Sequence, residues 1–210
     1  MAPKDDLIAA MAELNEDRAM EAVRELLKKK SALDIITLAR EGMQQVGEKF
    51  AAKEFFLADL IFSAEIFEEI MNLLGPELKK GKMTIENIGK IVLGTVKNDI
   101  HDIGKNIIAS LLRASGFEVI DLGVDVTVKK FLETIKRERP RVLGLSGLLT
   151  IAIDEMKKTI EVIEANGMRD NLKIIIGGGP MDKSVRDYVR ADASTQDAVE
   201  GVRLIKEFFD

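Results

Sequence analysis

The chain has 210 residues, of which 46% are hydrophobic and 32% charged; 31 basic against 36 acidic side chains leave a formal charge of −5. Such a composition supports a folded core and one or two domains. With no cysteine and a single histidine, His101, the chain excludes disulfides, thiolate metal sites, cysteine nucleophiles, multi-histidine metal centres and a second imidazole base. The charge balance builds in no general attraction to polyanions. The apolar runs are shorter than the roughly 18 residues that span a bilayer, and the first 14 residues carry Lys4, Asp5, Asp6 and Glu13 where a signal peptide has an uninterrupted apolar stretch. The reading is of a cytoplasmic protein without nucleic-acid or membrane partners.

Residues 1 to about 75 read as four helices: one ending near Leu14, one over Arg18–Lys30, one capped by Ser31 with Asp34 in the capping-box position and running to Phe50, and one over Phe56–Leu74 that stops at Gly75-Pro76. These make a small helical bundle. Residues 1–88 hold 12 basic and 17 acidic side chains and so carry the whole net charge. Pro76–Asn87 reads as a polar connector. The pattern then changes to Lys90–Val96, a continuous apolar run of the kind buried on both faces of a sheet. Helix Ile103–Ser115, strand Phe117–Leu122, helix Val128–Glu138, strand Val142–Ser146, helix Ile153–Asn166, strand Leu172–Ile176, helix Lys183–Arg190, a short strand near Ala191–Ala193 and helix Asp197–Phe208 follow. Five strand–helix alternations predict an α/β fold with a five-stranded parallel sheet in the flavodoxin-like (Rossmann-like) order 2-1-3-4-5. The domains are therefore 1–88, a helical cap with its linker, and 89–210.

In such a sheet ligands sit beyond the carboxyl ends of the strands. The loop after the first strand holds Asp99, His101, Asp102, Ile103 and Gly104; the loop after the third offers Ser146, Leu148 and Thr150; the loop after the fourth is Gly177-Gly178-Gly179. Taken singly, each has a plain structural use. Asp99 serves as a helix cap, Ser146 and Thr150 satisfy strand ends, and Phe55, Phe56, Phe62 and Phe67 are spaced as bundle core. Neither a dinucleotide-binding nor a P-loop glycine pattern occurs.

Asp99-x-His101-x-x-Gly104, Ser146-x-Leu148-x-Thr150 and Gly177-Gly178 together resemble the cobalamin-binding domain of corrinoid proteins of methyltransferase systems and the matching module of cobalamin-dependent methionine synthase. The resemblance extends to the first half, where Phe56-Leu57-x-x-Leu60 matches an apolar signature of the last cap helix. It implies that His101 replaces the cofactor's benzimidazole as lower cobalt ligand (base-off/His-on). Asp99 is then hydrogen-bonded to the imidazole, and Ser146 bonds Asp99 in turn, so that this relay takes up a proton when cobalt releases the ring. The displaced nucleotide tail is implied to lie against Gly104, Ser146, Gly177 and Gly178, with Phe56 and Leu60, and Phe62 or Phe67, as an apolar lid. The implied cofactor is cobalamin, methylcobalamin in the loaded state. The implied role is a methyl carrier of one-carbon metabolism, non-catalytic on its own, that shuttles methyl groups between a substrate-specific methyltransferase and a second, methyl-accepting one, is restored by a reductive activator protein, and hinges at 75–88. A cobalamin-binding sensor or an adenosylcobalamin mutase subunit are the alternatives. Departures from the family pattern are Ala58 where a proline commonly opens the last cap helix, Arg190 where a glycine usually precedes Ala191-Asp192, and Ser194 where an aromatic is frequent.

Overall fold

The chain was analysed as a computed structural model that describes residues 3–80 and 88–209. In the helical part, α1 (Pro3–Ala12), α2 (Glu16–Leu27), α3 (Ala32–Ala51) and α4 (Leu57–Lys80) follow in sequence. Asn15 caps α2 by accepting the Arg18 N–H, and Ser31 and Asp34 cap α3 reciprocally, each side chain satisfying the other's backbone N–H. Leu7, Met11, Val23, Ile35, Ile36, Phe67, Ile70 and Leu74 fill the bundle interior.

The fourth helix does not stop at Gly75-Pro76 but continues to Lys80 with Pro76 inside it. Leu78 packs on the bundle core one turn beyond Leu74, itself one turn beyond Ile70, so burial on that face outweighs the lost N–H of the proline. At its other end Asp59, the third residue of the helix, accepts the Phe56 N–H at 2.7 Å with its carboxylate. The rest of the expected hinge, residues 81–87, lies outside the described residues.

The second part alternates β1 (Lys90–Thr95), α5 (Ile103–Ala114), β2 (Glu118–Asp121), α6 (Val128–Glu138), β3 (Val142–Ser146), α7 (Thr150–Ala165), β4 (Lys173–Gly177), α8 (Lys183–Val189), β5 (Ala193–Thr195) and α9 (Ala198–Glu207). All pairings are parallel and the sheet order is β2-β1-β3-β4-β5. Val92, Leu143, Leu145, Ile174 and Ile176 belong to one buried cluster with Phe131 of α6 and Met156, Ile160 and Ile163 of α7, as period-2 alternation in a sheet covered on both sides requires.

Two boundaries differ from the sequence reading. Helix α7 starts at Thr150, three residues early, because a buried carboxylate from another loop accepts the N–H groups of Leu148 and Leu149 that precede it. Strand β5 starts at Ala193 rather than Ala191, because the preceding Asp192 is occupied in fixing Ile174 through both its side chain and its backbone N–H. Arg190 occupies the left-handed position that ends α8 (φ 66°, ψ 40°), the conformation a glycine would take without strain. The described residues divide into two compact units, 3–80 with 114–116, and 88–113 with 117–209. No helix among them is long and apolar enough to cross a membrane.

Candidate functional site

The chain leaves β1 through a turn closed by the Asp99 N–H on the Val96 carbonyl, with Asn98 in a left-handed conformation (φ 65°). Asp125, from the loop after β2, fixes this turn: its carboxylate accepts the Asn98 N–H at 2.9 Å and pairs with Lys97, while its own N–H donates to the Asp99 carbonyl. The turn drives the Asp99 side chain inward, where it is 0% exposed. One carboxylate oxygen accepts both the His101 N–H at 3.0 Å and the ring Nδ1 at 2.8 Å; the other accepts the N–H groups of Leu148 at 2.7 Å and Leu149 at 3.0 Å. A single buried carboxylate thus ties the histidine loop to the start of α7. Burial alone would raise its pKa, but the N–H groups of Leu149 and His101, the His101 ring and the Leu148 N–H together outweigh burial and hold it at about 2. Asp99 is an anion at neutral pH.

His101 itself is half exposed, its side chain retaining 48% of its accessible surface, and the buried Thr95 hydroxyl donates to its carbonyl at 3.0 Å. With Nδ1 on Asp99, the ring's free lone pair lies at Nε2. Around it stand apolar side chains that a soluble domain would normally bury: Ile100, Ile103 (76% exposed), Val124, Leu148, Leu149 and Ile151. They come from the loops after three strands and from the starts of α5 and α7. So large a display of aliphatic surface beside one polar ring marks a binding surface. Asp102 and Asn106 are joined by a side-chain hydrogen bond of 3.1 Å at the start of α5.

Beside this surface a cleft of about 100 Å³ opens along the α5–α9 side of the sheet, with Gly104, Ser146, Gly177 and Gly178 in its lining. Two glycines are demanded by close backbone approach. Gly178 has φ +130°, and a Cβ there would stand 1.9 Å from the Gly147 carbonyl oxygen; a Cβ on Gly147 would lie 2.5 Å from that of Ala152. Gly104, by contrast, borders open space.

The predicted residues therefore separate into groups. Asp99, His101, Leu148 and the backbone of Leu149 form one hydrogen-bonded assembly, and Gly104, Ser146, Gly177 and Gly178 line the neighbouring cleft. Ser146 is not part of the imidazole–carboxylate chain: both Asp99 oxygens are taken by N–H donors, and no bond joins the Ser146 hydroxyl to Asp99 among the described residues. Thr150 is exposed as the first residue of α7, and its hydroxyl makes no bond to this assembly. In the helical unit Phe56 is 75% exposed whereas Leu60 is buried, and Phe67 belongs to the bundle core rather than to a lid. Sequence reasoning missed Thr95, Asp125 and Leu149, which hold the loop.

The residues present fit a corrinoid. An imidazole with one nitrogen committed to a buried anion is a pre-oriented ligand; a flat macrocycle bearing methyl groups suits the aliphatic surround; and a largely apolar cleft bordered by Gly104, Gly177 and Gly178 suits an extended appendage. Among the described residues no cluster of three or more histidine or acidic side chains is placed to hold a metal ion.

Comparison with known proteins agrees. Models described as "B12 binding domain" match residues 89–203 and, separately, 4–74. Trimethylamine corrinoid protein 2 of Methanosarcina mazei is 34% identical over 214 residues, covering 98% of this chain and 97% of that protein. Dimethylamine corrinoid protein 2 of Methanosarcina acetivorans is also 34% identical, over 99% and 98% of the two chains. The crystal structure of a cobalamin-binding protein from Desulfitobacterium hafniense superimposes with a TM-score of 0.76 at 40% identity, over 98% of each chain. With both of its units matched in this way, the chain belongs to the family of B12-binding corrinoid proteins, and its cofactor is cobalamin.

Proposed function

We propose that this chain is a corrinoid methyl carrier that binds cobalamin base-off/His-on through His101 and passes a methyl group between partner methyltransferases. The observation that carries the reading is the half-exposed His101 ring, its Nδ1 2.8 Å from the fully buried Asp99 carboxylate, standing beside a glycine-walled cleft. The names of the relatives, corrinoid proteins of trimethylamine and dimethylamine, support methylamines as the source of the methyl group.

When bound, cobalamin supplies the cobalt that accepts and releases the methyl group. The protein's residues do the rest. Asp99 keeps the ring proton on Nδ1 and so presents the Nε2 lone pair as the ligand. Because Asp99 stays ionised, a second proton taken by the ring resides on Nε2, and the resulting cation is held against a fixed counter-charge. Ile100, Ile103 and Leu148 offer the exposed aliphatic surface on which the macrocycle would rest. Gly104, Ser146, Gly177 and Gly178 receive the displaced tail. The work is divided between residues 1–88, the cap, and 89–210, the cobalamin unit.

The partners are a substrate-specific methyltransferase, a methyl-accepting methyltransferase and a reductive activator, all in the cytoplasm; a chain without cysteine supplies no thiolate for an iron–sulfur cluster of its own. The test is spectroscopic. Apoprotein mixed with cobalamin gives a base-off, His-on spectrum, and His101→Ala abolishes the imidazole contribution while the apoprotein keeps its circular dichroism. An unaltered spectrum in His101→Ala, or no retained corrinoid in the wild type, overturns the reading. Methyl transfer from a methylamine-loaded methyltransferase then tests the carrier role.

A further inference from the structure

The loop that carries His101 is held at both ends by one short stretch of chain, Asp121 to Asp125, which leaves the edge strand β2. Asp125 fixes the front of the loop through Asn98 and Lys97, as described above. Asp121 reaches the back of it. One oxygen of its carboxylate accepts from the Lys105 ammonium at 2.5 Å, and the other accepts the Gly123 N–H at 2.9 Å. The Gly123 carbonyl in turn accepts the N–H of Thr95, the residue whose hydroxyl bonds the His101 carbonyl.

Lys105 is the third residue of α5, and its side chain retains only 3% of its accessible surface. An ammonium is ill placed there twice over. Burial removes its water, and the free N–H groups of a first helical turn already present a positive end. Apolar groups of similar size often replace a buried ion pair without loss of stability, so stability alone does not account for this one. The pair does transmit direction. Lys105 also donates to the Asn106 Oδ1 at 2.6 Å, and the Asn106 amide donates to the Asp102 carboxylate at 3.1 Å. Asp102 follows His101 directly, and its carbonyl accepts the Asn106 N–H at 2.8 Å. A run of hydrogen bonds thus leads from the end of β2 to the residue beside the ring.

We infer that Lys105 and Asp121 are positioning residues for the cobalt ligand: their buried pair fixes the first turn of α5 to the end of β2 and, through Asn106 and Asp102, sets the orientation in which His101 is presented. This rests on the His-on reading above. Loss of a group that orients a metal-ligating imidazole costs about tenfold to a hundredfold in affinity. The lower figure applies to partners that act through the loop rather than on the ring itself.

The test compares the full-length wild type with the double variant Lys105→Met/Asp121→Asn, which nearly keeps the side-chain volumes, keeps an acceptor for the Gly123 N–H and leaves neither charge buried alone. The apoprotein melt, followed by tyrosine fluorescence, should stay within about 3 °C of wild type. Titration in the visible spectrum with methylcobalamin, and with methylcobinamide, which has no nucleotide, should show both bound about tenfold more weakly. At saturation the spectrum should move from the His-on form toward the base-off form that His101→Ala gives. A His101-dependent spectrum and affinities equal to wild type overturn the inference. Weakening confined to methylcobalamin also overturns it, because the pair would then act on the tail and not on the ring. So does a spectrum lost only together with the fold, the melt falling by more than about 10 °C. A wild type without any His101-dependent spectrum sinks the base-off reading itself and takes this inference with it.

Discussion

Asp99→Asn gives the sharpest test of the site's physics. The replacement keeps the shape of the side chain but removes the charge from a group that is fully buried and accepts hydrogen bonds from four N–H donors. Those donors hold the Asp99 pKa at about 2 against the ordinary carboxylate value of 3.8, a difference that corresponds to roughly 2 kcal/mol of stability at neutral pH. Because the folded value is depressed, this contribution is complete above the unfolded value near 4 and disappears as the pH falls through about 2. Asn adds a second fault, since its NH2 must face an N–H donor. Asp99→Asn should therefore destabilise the apoprotein by at least roughly 2 kcal/mol at pH 7, and the gap should shrink steadily on acidification below about pH 4. The chain has one tyrosine and no tryptophan, and that tyrosine, Tyr188, lies on α8. Tyrosine fluorescence during urea unfolding therefore reports the α/β unit alone. A gap under about 0.5 kcal/mol at pH 7, or one that persists unchanged into acid, would refute the argument.

Other substitutions separate fold from site. Gly104→Ala, in the first turn of α5 with open space beside it, should stabilise the apoprotein by about 0.5–1 kcal/mol yet weaken cobalamin retention on gel filtration; unimpaired retention would remove Gly104 from the tail path. Gly178→Ala should cost about 3 kcal/mol or more, read as a collapse of soluble yield or of the tyrosine-detected melt, because its Cβ would collide with the Gly147 carbonyl. Arg190→Gly should raise the melting temperature of the same unit slightly: relief of the left-handed strain, about 1 kcal/mol, exceeds the loss of an exposed pair with Glu164. A fall in melting temperature would show that the ion pair dominates.

The sheet order and every helix were legible from periodicity, because buried parallel strands such as Ile91–Val96 and amphipathic helices such as α6 express their burial in one dimension. The helix end at Gly75-Pro76 was misread because the reason for its continuation, Leu78 packing on the bundle core, is tertiary. At the site, Asp99 and His101 were legible through their spacing of two. The second partner of Asp99 was not: Ser146 is a hydroxyl at a strand end, but the carboxylate turns to the N–H groups of Leu148 and Leu149, and backbone donors leave no mark on residue type. Asp125 was hidden for a similar reason. It acts on Asn98 across 27 positions of sequence, through the neighbourhood of β1 and the loop after β2.

Helix α7 begins without a side chain of its own to cap it, and borrows Asp99 instead. The longest helix of the α/β unit and the imidazole are thus fastened to opposite oxygens of one carboxylate, like two pans on a single beam. Any load on the exposed start of α7, around Leu148, Leu149 and Ile151, is transmitted through one rigid group to the nitrogen on the far side. A shift of that ridge would therefore move the carboxylate that orients the His101 ring, without touching the ring.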